Sequence, residues 1–180
     1  DTLRWKMDAD EFRDYILGFI FYKYLSEKVS LKADKLLKEW WINKTYEELL
    51  WNSKETEDIL KALKIESIDD LGYFLYPQEL FSYIAKKWNS TSSKESDSFI
   101  LEDLTKILKN IESSTMWTDS EDDFDNLFSD MDLTSQKLGK TVSAKNELIA
   151  KIMWHLNKID FKLEDSQIDV LWDAYEYLIW

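Results

Sequence analysis

Apolar residues recur three and four apart along most of this chain, the spacing of one face of a helix. Asp8 and Glu11 make a capping-box pattern ahead of Phe12, Tyr15, Ile16, Phe19, Ile20, Tyr22 and Leu25, which predicts a helix. Those positions cover most of the circumference and place that helix at the centre of the fold. Gly18 inside it costs about 1 kcal/mol against alanine, which the close approach of a neighbouring helix would explain. A second amphipathic stretch spans 31–41 through Leu36, Leu37, Trp40 and Trp41.

Thr45 and Glu48 repeat the capping-box pattern before Leu49 and Leu50, and Ile59, Leu60 and Leu63 mark a further short helix. Pro77 suits the first turn of a helix carrying Leu80, Phe81, Ile84 and Ala85. Residues 89–98 (NSTSSKESDS) are polar, serine-rich and without an apolar anchor, and read as a mobile loop inside one domain. Beyond it Phe99, Ile100, Leu104, Ile107, Leu108 and Ile111 form a helical stripe. Phe124, Leu127, Phe128 and Met131 then share one face of a short helix in the acidic stretch 119–132. Gly139 signals a turn before the most regular helix, 143–157, with Leu148, Ile149, Ile152, Met153 and Leu156 inward. A last helix starts near Asp165 or Ser166 and runs to Trp180 with no stop signal, so the native chain is expected to continue.

Composition supports an all-α, multi-helix, bundle-like domain over residues 1–180. There are only 3 glycines and 1 proline in 180 residues, which leaves few tight turns, and 44% of residues are apolar, enough for one core. Without cysteine there are neither disulfides nor thiolate metal sites. The charged start is no signal core, and no stretch nears the roughly 18 uncharged residues of a membrane span, so a cytoplasmic protein without membrane contact is expected.

The residues also exclude chemistry. Gly18, Gly72 and Gly139 are isolated, so no phosphate-cradling or cofactor loop exists in this chain. A cysteine nucleophile is impossible, and His155, the only histidine, reads as a surface or half-buried helix residue without a metal-binding partner. Asp119, Glu121, Asp123 and Asp125 mimic a calcium loop, but Phe124 and Asp130 occupy the places of its glycine and its glutamate. Catalytic, cofactor and metal sites are thus all expected to be absent. Trp40, Trp41 and Trp51 could stack on nucleobases if exposed together, but their spacing with Leu36, Leu37, Leu49 and Leu50 favours core packing.

A formal charge of −13 argues against a free-standing nucleic-acid binder, yet its distribution is uneven. Residues 112–132 hold eight acids and no Lys or Arg. Residues 137–162 hold six lysines (137, 140, 145, 151, 158 and 162) against Glu147 and Asp160, so the local charge turns from −8 to 6 − 2 = +4. Lys137 and Lys140 flank Gly139, and Lys145 lies near a helix amino terminus where free N–H groups favour anions. These three lysines are the candidate DNA-phosphate contacts. A solvated helix face is the plain alternative.

Four segments together resemble one family. They are 8–28 (DADEFRDYILGFIFYKYLSEK), 128–141 (FSDMDLTSQKLGKT), 145–149 (KNELI) and 168–179 (IDVLWDAYEYLI). In this order they are similar to the amino-terminal region of the M (modification methyltransferase) subunit of type I restriction–modification systems, across nearly the whole chain. The resemblance implies a helical domain ahead of a Rossmann-like catalytic domain lying beyond residue 180. It implies a parent that transfers a methyl group from S-adenosylmethionine to adenine N6 of double-stranded DNA. The implied partners are a specificity (S) subunit, a second M subunit and a restriction (R) subunit. The role implied for the domain itself is to enclose DNA and assemble subunits. The family's Asn-Pro-Pro-aromatic motif is not in this chain, where Tyr76-Pro77-Gln78 surrounds the single proline. Trp5, Trp117, Trp172 and Trp180 stand where the resemblance implies glycine. The competing readings are an acidic helical module that docks onto protein partners without touching DNA, and an acidic mimic of DNA.

Overall fold

The computed structural model describes residues 9–49, 53–90, 100–115, 121–124 and 127–161. Among these residues the fold is all-helical, as the spacing predicts. The two amphipathic stretches at its start are one helix, α1 (Ala9–Glu39). No glycine or proline interrupts residues 25–31, and buried Val29 and Ala33 carry the inward stripe across that gap. Buried Tyr15, Phe19, Tyr22, Leu25, Leu36 and Leu37 make α1 the central helix, packed against α2 (Lys54–Leu71), α3 (Phe81–Ser90) and α6 (Val142–Asn157).

Ser53 starts α2, its hydroxyl accepting the Thr56 N–H at 3.2 Å. Gly72 ends it in a left-handed conformation. The helix is longer than the short one predicted, because buried Ser67 and half-buried Ile68 and Leu71 continue its inner face. The Thr45 and Pro77 patterns each form a single 3-10 turn, Tyr46–Glu48 and Pro77–Glu79. In each turn the glutamate three residues on accepts an N–H, from Thr45 at 2.8 Å and from Tyr76 at 2.9 Å. Leu80 is extended, and this separates the Pro77 turn from α3.

Three buried phenols pin the irregular stretch between α2 and α3. Tyr73 donates to the Leu25 carbonyl at 3.0 Å, Tyr46 to the Leu75 carbonyl at 2.5 Å and Tyr22 to the Glu79 carbonyl at 2.5 Å. The Ser26 hydroxyl accepts the Phe81 N–H at 2.8 Å, so α1 also fixes the start of α3. The serine-rich break begins later than the sequence suggests, since α3 runs through Ser90; residues 91–99, where the mobile loop is expected, lie outside the described residues.

Helix α4 (Ile100–Ser114) buries Ile100, Leu104, Ile107, Leu108 and Ile111, the predicted stripe. It packs on α5 (Glu121–Phe124) and α6. The expected acidic helix is cut short: Leu127 to Asp130 are turns and Met131 lies in irregular backbone, so Phe128 and Met131 are buried without being helical. The expected helix after 165 also lies outside the described residues, as do Trp5, Trp51, Trp117, Trp172 and Trp180.

Candidate nucleic-acid interface

The segment from 127 to 141 joins α5 to α6 and carries two of the three candidate lysines. Phe128, Met131, Leu133 and Leu138 are buried, while Ser129, Asp130, Asp132, Thr134, Gln136, Lys137 and Lys140 are partly or fully exposed. Apolar anchors therefore alternate with polar residues held at the surface.

Its attachment to α1 explains Gly18. A Cβ built at Gly18 would lie 1.9 Å from the Met131 Sδ, so this side chain occupies the space that a larger residue would fill. The close approach expected there comes from a loop methionine and not from a helix. One turn earlier the Tyr15 hydroxyl donates to the Asp132 carbonyl at 2.5 Å. Next to it the Asp132 carboxylate accepts the Thr134 hydroxyl at 2.6 Å and the Thr134 N–H at 2.9 Å. Those two donors, with a smaller contribution from the Lys145 charge, hold the Asp132 carboxyl below its ordinary range.

The far end of the segment is fixed on α6. A Cβ at Gly139 would fall 2.9 Å from the Lys145 backbone nitrogen and 2.9 Å from the Ala144 Cβ, so only glycine brings the chain this close to the first turn. Thr141 is the N-cap, its hydroxyl accepting the Ala144 N–H at 3.2 Å.

The three candidate lysines are not equivalent. The Lys145 ammonium donates to the Thr134 carbonyl and braces the segment from the helix side. Lys137 and Lys140 lie at the surface on either side of Gly139. Farther along α6, Lys151 pairs with Glu147 at 2.5 Å, and Lys158 lies 4.8 Å from the centre of the Trp154 ring. The excess positive charge seen in the sequence is thus partly engaged within the helix itself. His155 is exposed on the same helix.

Tyr15, Gly18, Met131 and the Asp132–Thr134 pair are the positions that sequence reasoning missed as parts of this region. Gly18 in a helix was the available signal, but spacing alone does not say what fills the space above a glycine. The expectation that Trp40 and Trp41 pack in the core is corrected: Trp40 is exposed and Trp41 is 95% exposed, because the helix ends there and turns them outward. Of the acids that mimic a calcium loop, Asp119 and Asp125 lie outside the described residues. Among the described residues no helix is long and apolar enough to cross a membrane.

A helical core that locks a polar, lysine-bearing segment between its longest helix and a capped second helix defines an all-helical domain. The chain belongs to the HsdM N-terminal domain family, which matches residues 1–156. It is similar to the "Type I restriction enzyme MpnII methylase subunit" of Mycoplasma pneumoniae, at 29% identity over 182 residues, covering 99% of this chain and 32% of that protein. It is also similar to the crystal structure of the type I restriction-modification system methyltransferase subunit from Streptococcus thermophilus. That likeness has a TM-score of 0.71 at 32% identity, covering 99% of this chain and 35% of the other. The chain therefore spans about a third of the length of the relatives it matches.

Proposed function

We propose that this chain is the helical amino-terminal domain of a type I restriction–modification methyltransferase subunit, and that it grips DNA phosphates and braces subunit assembly. The parent protein transfers a methyl group from S-adenosylmethionine to adenine N6 in double-stranded DNA, in company with S, R and second M subunits. This chain does not itself fit the cofactor. Its glycines are isolated, and the two at 18 and 139 already have Met131 and the first turn of α6 against them. We therefore assign methyl transfer to the part of the protein that follows residue 180.

The observation that carries the DNA role is the anchored segment 127–141. Buried apolar residues, the Tyr15 hydrogen bond and the Lys145 brace hold Lys137 and Lys140 at the surface on a rigid support. A segment whose backbone is already ordered loses less conformational entropy when its lysines meet a phosphate. In the assembled enzyme, replacing Lys137, Lys140 and Lys145 together by alanine is expected to weaken DNA binding. It should also reduce the slope of log affinity against log salt by about 0.9 for each phosphate that is no longer neutralised. An unchanged slope would remove the claim. The net charge of −13 favours the second reading, a docking module without DNA contact. Under that reading the triple variant leaves DNA affinity intact and weakens capture of the S subunit instead.

A further inference from the structure

Helix α1 ends in a Schellman motif whose critical position is held by the wrong kind of residue. The Ile42 N–H donates to the Leu37 carbonyl at 2.9 Å and the Trp41 N–H to the Lys38 carbonyl at 3.1 Å. Ile42 packs against the core in which Leu37 is buried, which completes the motif's apolar contact. This closure needs a left-handed residue directly after the cap, and Trp41 takes that place with φ 59. Among the described residues it is the one non-glycine with positive φ, while α2 ends with Gly72 at φ 79. A Cβ crowds the next carbonyl in this conformation, and a bulky residue there is an outlier. The indole is 95% exposed, so burial offsets none of the strain.

Composition points the same way. Nine tryptophans against three glycines in 180 residues reverses the ordinary balance, in which glycine is about 7% of residues. Trp88 and Trp154 differ from Trp41, because the fold uses their rings: Trp88 is buried in α3 and Trp154 lies beneath the Lys158 ammonium.

We infer that position 41 is a glycine position, and that its codon is decoded as glycine in the cell that makes this protein. Positions 88 and 154 then carry a different codon and true tryptophan.

The direct test is mass spectrometry of the full-length protein isolated from its own cells and cleaved after lysine. The peptide 39–44 should contain glycine at 41, while the peptide carrying Trp88 keeps its indole; tryptophan at 41 overturns the inference. The gene gives a second readout, since a codon at 41 identical to those at 88 and 154 would equally overturn it. A third is physical. In the full-length protein produced with tryptophan at 41, Trp41→Gly is expected to raise the melting temperature by a few degrees. No rise would remove the argument from strain.

Discussion

Lys23 shows how one side chain sets a measurable property of the whole domain. It lies on the buried face of α1, pairs with Glu27 one turn on, and holds its ammonium 4.2 Å from the centre of the Phe161 ring. Burial pushes its pKa from 10.5 down to about 8, against a smaller opposing pull from Asp160. The unfolded chain keeps its proton up to the ordinary value, so between those limits the unfolded state binds more protons and stability rises with pH. Tyr22, Tyr46 and Tyr73 act in the same direction above about pH 10: burial raises their pKa, so the unfolded phenols ionise first and the folded state then binds more protons, which lowers stability as pH climbs further. Urea unfolding should therefore show a midpoint that climbs from about pH 8 to about pH 9.5 and falls beyond the phenol range. Lys23→Met should flatten that climb, and an unaltered climb would assign it to other groups. Gly18 allows a second check at this scale. Gly18→Val should cost about 1–3 kcal/mol through its collision with Met131, and Met131→Ala should relieve part of the cost in a double-mutant cycle.

Among the elements, the helices were the most legible in sequence, and their ends and junctions the least. The stripe of α4 and the span of α6 followed directly from spacing. The union of two stretches into α1 did not, because an absence of breaking residues is a weaker signal than a cap. The two short 3-10 turns show the converse: a capping-box glutamate can satisfy an N–H without a full helix behind it. What steadies these irregular parts is side chains reaching backbone across long separations. Tyr46→Phe should leave the Leu75 carbonyl buried without its donor and cost about 1–3 kcal/mol by chemical denaturation. Thr141→Ala removes the cap of α6 and should cost about 0.5–2 kcal/mol. If Thr141 matters only as surface, the two proteins will unfold at the same midpoint.

For the whole molecule, the question raised by the proposed function is how an acidic protein would meet DNA phosphates. The net charge of −13 repels DNA at a distance, and screening at ordinary salt confines that repulsion to about 8–10 Å. On the proposed reading local charge then decides contact, with Lys137 and Lys140 at the surface between buried anchors. In the assembled enzyme, adding duplex DNA should slow amide exchange across residues 134–145 and leave α2 unchanged. Protection confined to α2 and the end of α1 would favour protein docking instead.

The sequence alone determined the helical class, because it depends on local quantities: apolar spacing, and where glycine and proline occur. It also marked the segment 128–141 as distinctive, without showing why. Only the tertiary structure brought Tyr15 to Asp132 across 117 positions, seated Met131 over Gly18 and turned Trp41 outward at a left-handed helix end. Such contacts arise when helices cross at angles and separations set by the whole core, and periodicity along a chain carries no information about which distant residue arrives there.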